Sequence, residues 1–263
     1  KFYGLSTLRV GLEKSRNLMT VRIAQNLGVD KIANFSKELG IYENPNELLS
    51  ISLGSAETTL LKLTSAYAAF INGGKLVEPI IIDRIQDSEG NTIINNDKRS
   101  CINCSQVSFT SKDYPKVEDD YKKVFSTQTA YQITSLLEGV VERGTGKKLR
   151  KLKLNLAGKT GTTNDNTDTW FIGFTSNLLI GVYSGMDEPK PLGKYETGSK
   201  VALPIFENFV KKAIKKSDAR PFKVADGIEM MVIDSSTGQK AKFSSKDTII
   251  EAYKKKNVVD GKV

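Results

Sequence analysis

The sequence contains no histidine. That removes the commonest general base and the commonest metal ligand together, and with them many hydrolase mechanisms. Cysteine is nearly as scarce: Cys101 and Cys104 are the whole supply, in the run Cys101-Ile102-Asn103-Cys104. A zinc site would need further Cys or His ligands, which the chain does not have. A catalytic redox pair usually opens a helix beside a βαβ pattern, and that context is missing. The favoured reading is a local disulfide formed in an oxidising compartment. Also absent are an apolar run long enough to span a bilayer, a signal-peptide pattern and internal repeats. The glycine-rich loop Arg143-Gly144-Thr145-Gly146-Lys147 continues into Lys148. It therefore lacks the Gly-Lys-Ser/Thr helix start of a P-loop and reads as structural. No metal and no organic cofactor is implied.

What the 263 residues do contain is ordinary for a folded protein, with 39% hydrophobic and 26% charged residues, enough for a sizeable core. Lysine and arginine exceed the acids by 39 to 30, a net charge of +9. Nucleic-acid binding would need those cations clustered with stacking aromatics. Here they are spread over helix-like faces such as Lys211-Lys212 and Lys215-Lys216. No nucleic-acid partner is expected: a solvated surface comes first, and weak attraction to anionic lipid or polymer second. The chain opens on Lys1 in mid-pattern, and we expect it to be a piece of a longer protein.

Apolar spacing predicts a short helix or turn over Ser6 to Gly11. A helix follows through Leu18, Val21, Ile23, Ala24 and Leu27, stopped by Gly28, and then one over Lys31 to Leu39 capped by Asp30. Ser50 to Ser55 reads as an irregular link. Thr58 to Asn72 is a well-formed amphipathic helix closed by Gly73-Gly74. Pro79 to Ile85 and Thr92 to Ile94 flank good turn residues and predict a hairpin. Residues 95–123 read as a polar surface excursion, ordered only in part, that carries the cysteine pair. Ser126 can cap a long helix to about Glu142. The Lys159 stretch, Asp168 to Thr175 and Asn177 to Ser184 predict a three-strand meander. Lys200 to Lys215 then predicts a helix with Pro204 in its first turn. From Asp218 onward the chain is basic and weakly patterned, with one short strand pair near Met230 to Ile233.

The chain is organised around Leu156-Ala157-Gly158-Lys159-Thr160-Gly161-Thr162-Thr163-Asn164-Asp165. An apolar strand ends here in a fixed cation and a set of hydroxyls. Thr160 and Thr162 fall on one face of an extended chain, and Gly161 between them removes a side chain where something must approach closely. Such an edge can pair with an extended peptide while binding a carboxylate at one end. Ser15-Arg16-Asn17, just before a helix, is most simply a helix start. It would also serve to present a hydroxyl that passes a proton and a carboxamide that holds a substrate amide.

These stretches resemble the transpeptidase domain of class A penicillin-binding proteins, closest to the 1A-like type, of the motif set Ser-x-x-Lys, Ser-Asp-Asn and Lys-Thr-Gly, with Ser15-Arg16-Asn17 standing for the second as Ser-x-Asn. Leu12 to Asn17, Leu53-Gly54-Ser55-Ala56, Asn72-Gly73-Gly74, Val141 to Gly146, Gly158 to Asp165 and Asp168 to Thr175 all match, and the Cys-x-x-Cys in the excursion looks like that type. The resemblance implies an α+β, serine β-lactamase-like fold: an antiparallel sheet flanked by helices, with a helical lobe, incomplete at its N-terminus. Residues 1–217 would be the C-terminal portion of the transpeptidase domain, and 218–263 a C-terminal extension. Ser15 would relay a proton to the leaving amine, Asn17 orient the donor peptide, and Lys159 support the electrostatics. Thr160, Gly161, Thr162 and Thr163 would form the substrate wall, with the Thr162 N–H as half of an oxyanion hole. Implied partners are peptidoglycan stem peptides, lipid-linked precursor and β-lactam antibiotics. The implied location is the periplasmic side of the inner membrane, with the membrane anchor and a glycosyltransferase domain upstream.

One part of the pattern is missing: no Ser-x-x-Lys occurs in the 263 residues. In chain order that pair precedes Ser-x-Asn, so the nucleophile is expected upstream of Lys1, and this piece alone is expected not to acylate. The alternatives are a serine β-lactamase or penicillin-sensing domain, and a non-catalytic module that binds peptidoglycan peptides.

Overall fold

The structure, a computed structural model, describes residues 3–105, 108, 114–215 and 218–255. It opens with three helices. α1 (Leu8–Glu13) is capped by Thr7, whose hydroxyl accepts from Val10 N–H at 3.3 Å. α2 (Asn17–Leu27) and α3 (Val29–Glu38) follow. Asp30 does not cap α3 as expected. Gly28, at φ +95°, turns the chain directly from α2 into α3, which leaves Asp30 inside the first turn where a carboxylate favours the helix N-terminus. The apolar stripe of α2 is also less covered than its spacing predicts: Ala24 is buried, while Leu18, Ile23 and Leu27 stay exposed. A 3-10 turn (Leu49–Leu53) leads to α4 (Leu60–Ile71), capped by the Thr59 hydroxyl.

β1 (Arg84–Gln86) and β2 (Thr92–Asn95) form the expected hairpin, but it is shorter than predicted. Pro79 to Asp83 stay out of it. Every residue of both strands is exposed, and the neighbouring Ile81 is 95% exposed, so burial does not extend the ladder. β3 (Ser100–Ile102) pairs with β4 (Lys116–Glu118) in the polar excursion. The middle of that excursion lies outside the described residues. α5 (Thr127–Glu142) begins at Ser126, whose hydroxyl accepts from Thr129 N–H.

β5 (Ala157–Thr162), β6 (Thr169–Phe174) and β7 (Leu179–Ser184) form the expected meander, in the order β5-β6-β7, with β5 at one edge. α6 (Ala202–Ala213) covers one face. There Phe171 and Val182 pack on Leu203, Phe206 and Val210. Gly158 and Gly173 make this contact close: a Cβ on Gly158 would lie 2.8 Å from Phe171 Cζ, and one on Gly173 2.7 Å from Phe206 Cζ. The opposite face, with Ala157 and Phe174, packs on Leu137 and Val140 of α5 and on Tyr67 and Phe70 of α4. Lys159 belongs to this second face, because strand side chains alternate.

The C-terminal region is better ordered than its weak patterning predicts. β8 (Ile228–Asp234) and β9 (Thr248–Lys254) make a ladder from Ile228↔Lys254 to Asp234↔Thr248, in place of one short pair near Met230. Ala252 and Ala225 pack on Tyr131 of α5. The expected division after residue 217 falls on residues outside those described. No described helix is long and apolar enough to cross a membrane.

Candidate active site

α1 ends at a point where a chain normally uses glycine. Arg16 N–H donates to Gly11 O at 2.9 Å and Ser15 N–H to Leu12 O at 3.1 Å, the two bonds of a Schellman cap. Ser15 takes the left-handed position, at φ +52°. For a residue with a Cβ this costs roughly 1–2 kcal/mol. Arg16 is then the N-cap of α2, so the two helices meet in a sharp elbow. The elbow leaves Ser15 exposed and aims it at the sheet: Lys159 Nζ donates to Ser15 Oγ at 2.7 Å, across 144 positions of sequence. Asn17, the first residue of α2, is exposed, and its carboxamide makes no hydrogen bond among the described residues.

The elbow is seated on the loop after α5. Thr145 N–H donates to Glu13 O at 3.1 Å, and Lys14 Nζ donates to Arg143 O. Arg143 Nη2 donates to Glu13 Oε1 at 2.6 Å. A Cβ on Gly144 would collide with Glu13 O, so this seat requires glycine. The loop that the sequence presents as structural is so used: it seats the elbow that carries Ser15.

Along β5, Lys159 also donates to Thr160 O at 2.9 Å. It forms no ion pair among the described residues, and burial pulls its pKa down to about 8. Thr160 Oγ1 and Thr145 Oγ1 are hydrogen-bonded to each other at 2.8 Å. Thr162 is exposed, and its hydroxyl accepts from Gly198 N–H at 3.0 Å, which leaves its own proton to donate. Gly198 must be glycine, since a Cβ there would meet Trp170 O at 2.6 Å. Thr163 lies beyond the wall with its hydroxyl engaged in the following turn: it accepts from Asp168 N–H at 2.8 Å and pairs with Thr167 Oγ1 at 2.7 Å. The structure thus joins Ser15 to Lys159 and Thr145 to Thr160, with Asn17 beside Ser15 in sequence and Thr162 at the strand end.

A family model described as the penicillin binding protein transpeptidase domain matches residues 2–211. The chain belongs to that family. Penicillin-binding protein 1A of Rickettsia conorii is 46% identical over 261 residues, which cover 98% of this chain and 32% of the relative. Penicillin-binding protein 1A of Pseudomonas aeruginosa is 31% identical, over 96% of this chain and 34% of the relative. The chain thus spans about a third of the length of these relatives. The crystal structure of penicillin-binding protein 1A from Haemophilus influenzae superposes with a TM-score of 0.81 at 30% identity, over 97% of this chain and 40% of that one. PonA1 from Mycobacterium tuberculosis, solved in complex with penicillin V, superposes with a TM-score of 0.60 at 18% identity, a likeness of fold alone. The expected penicillin-binding-protein fold, a helix-flanked antiparallel sheet with a helical lobe, is thus the observed one.

Three parts of this transpeptidase-family site are invisible in the motifs. Thr145 sits inside Gly144-Thr145-Gly146, where only the glycines draw notice. The Glu13–Arg143 pair joins residues 130 positions apart. Gly198 acts by its lack of a side chain. The cysteines stand with Cα atoms 5.7 Å apart, within disulfide span. No group of three or more His, Cys, Asp or Glu among the described residues is placed to hold a metal ion.

Behind the elbow, Glu138 of α5 is half-buried and makes no hydrogen bond among the described residues. Burial pushes its pKa up to about 7; Arg9 opposes the rise and Glu142 adds to it. A carboxyl raised in the folded state binds its proton more tightly there than in the unfolded chain. It therefore costs stability as pH climbs from its unfolded value through about 7. Glu138→Gln is expected to flatten that fall and to gain on the order of 1–2 kcal/mol at pH 8 relative to pH 5, read from denaturant unfolding at the two pH values.

Proposed function

We propose that this chain supplies the proton-relay and substrate-binding half of a peptidoglycan D,D-transpeptidase. In the proposed reaction a serine Oγ attacks the carbonyl of a D-alanyl-D-alanine stem peptide, D-alanine leaves, and an acceptor amine then takes the acyl group. Ser15 returns the proton to the leaving amine. Lys159 holds the local positive potential, and Asn17 orients the donor peptide. Thr160 and Thr162 bind the terminal carboxylate, Gly161 allows the peptide to lie close, and Thr163 fixes the end of the wall. The Thr162 N–H completes half of an oxyanion hole. The attacking serine and its lysine, absent from these 263 residues, belong to another part of the protein. Residues 1–217 form the transpeptidase portion, with 218–263 as an extension. β-Lactams occupy the same wall. Stem peptides and lipid-linked precursor are the natural partners. The site works on the periplasmic side of the inner membrane, where Cys101 and Cys104 form a disulfide and the protein is anchored through a segment outside this chain.

The observation that carries this reading is the 2.7 Å bond from Lys159 Nζ to Ser15 Oγ, which brings two motifs to one point. Its test is labelling of the intact protein with a fluorescent penicillin. Ser15→Gly is expected to slow acylation by roughly 10²–10⁴-fold, the scale of a lost proton-transfer group. It is also expected to stabilise the elbow by roughly 1 kcal/mol through release of the left-handed strain. Wild-type labelling in Ser15→Gly would remove Ser15 from the relay.

A further inference from the structure

Arg9 on α1 is 3% exposed, and each of its N–H groups has a partner. Nε and Nη2 fork onto the carboxylate of Glu251 on β9. Nη2 also donates to Ser135 Oγ at 3.1 Å, and Nη1 donates to Ser135 O at 3.0 Å and Glu13 Oε1 at 3.4 Å. Glu13, itself 2% exposed, takes the second hold from Arg143 and lies just before Ser15 in the chain. Gly139 clears the space, since a Cβ there would collide with Glu13 Oε1. The hairpin that carries Glu251 is fixed to α5 by independent bonds. Gln132 Nε2 donates to Ala252 O at 2.9 Å, and Lys254 Nζ to Thr129 Oγ1 at 2.8 Å.

Buried ion pairs are a poor source of stability, because desolvation offsets most of the attraction and apolar replacements are often as stable. What a forked guanidinium–carboxylate pair fixes is direction. The direction matters here because the line Glu251–Arg9–Glu13 ends at the α1–α2 elbow, where Ser15 is held in a left-handed conformation. We propose that the β8–β9 hairpin is a positioning element of the site: Glu251, acting through Arg9 and Glu13, sets where Ser15 stands against Lys159. The proposal rests on the function proposed above. Glu251 touches no substrate and acts only through Arg9. Without its carboxylate, Arg9 loses the fork and Glu13 loses one of its two fixed neighbours. The Ser15 elbow then relaxes away from Lys159.

The test compares Glu251→Gln, which keeps the shape and removes the charge, with Lys254→Met, which removes one anchor of the hairpin and leaves the Gln132 bond and the Glu251–Arg9 fork in place. Glu251→Gln is expected to slow the penicillin acylation step, per active site counted by burst titration, by roughly 10- to 100-fold, the effect of a small misplacement of a reacting group. The dissociation constant of the preceding non-covalent complex should change by less than about twofold. Lys254→Met is expected to lower the melting temperature and leave that acylation step unchanged. Hydrogen exchange supplies a readout independent of acylation. The amides of Ser15 and Arg16 should lose at least roughly tenfold protection in Glu251→Gln and none in Lys254→Met. Equal protection in Glu251→Gln and wild type, or equal loss in both variants, overturns the positioning role even if the protein never acylates. A wild-type protein that is not acylated while the exchange difference holds would instead sink the proposed reaction. If Glu251→Gln does not fold, Ser135→Ala removes one support of Arg9. It should then show the same exchange change in smaller degree, and unchanged exchange there overturns the proposal too.

Discussion

Lys159→Ala in the intact protein is expected to slow penicillin acylation by roughly 10²–10³-fold, the scale of losing one preorganised electrostatic partner at a reacting centre. Its melting temperature at neutral pH should stay level or rise. The two effects have one cause. Lys159 is a cation held in a half-buried place with no carboxylate partner among the described residues, and burial draws its pKa from 10.5 to about 8. A lysine whose folded pKa is depressed costs stability wherever it must remain charged. The cost is therefore present below about pH 8 and fades as pH rises from there toward 10.5. Allowing for its partial contact with solvent, the cost is on the order of 1–2 kcal/mol. The same unbalanced charge meets Ser15 Oγ at 2.7 Å, and in the proposed reaction it supplies the positive potential beside that hydroxyl. A scan of Tm against pH checks the sign: the advantage of Lys159→Ala over wild type should shrink as pH rises. Acylation at the wild-type rate in this variant would exclude Lys159 from the chemistry.

The second large effect lies in the core. Phe206→Ala is expected to cost about 3–5 kcal/mol and to lower the melting temperature by roughly 10 °C or more. Phe206 is fully buried, and its ring meets Phe171 at 4.7 Å and 61°. The surrounding Leu203 and Val210 are fully buried too, so the vacated space has little to collapse into it. The gap at Gly173 is shaped to these rings. Gly173→Ala alone should cost about 1–3 kcal/mol by overpacking. Added to Phe206→Ala it should cost distinctly less, with a coupling of roughly 0.5–3 kcal/mol. Strict additivity in denaturant unfolding would mean that the ring does not rest on that glycine. The site should fail along with this core, because β5 is held in place through β6.

How much of this could be read beforehand depends on how local each signal is. The meander, α4, α5 and α6 were legible because period and caps agree within one stretch: Ser126 before α5 and Pro204 in α6 do locally what they do in the structure. The Lys159 strand was legible for the same reason. The β8–β9 ladder was not. A long connection separates its strands, and Glu229, Glu251 and Lys254 break the apolar alternation, yet α5 supplies the burial that the strands lack by themselves. α2 went the other way, since its spacing promised a covered face that Leu18 and Leu27 do not have. In the site, the motif residues were visible but their supports were not. Glu13 meets Arg143 and Arg9 meets Glu251 only through folding, and no periodicity marks a residue whose partner is far away in sequence.

The serine in the glycine position of the α1–α2 elbow sets selection for robustness against selection for activity at one residue. Of the substitutions open to Ser15, the one that most favours the fold is glycine, and glycine has no hydroxyl. A lineage under pressure to become more heat-resistant would find that change readily and lose the hydroxyl that we propose as the relay. One that must keep the proposed activity is held to the less comfortable residue, and any added stability must come from elsewhere in the chain.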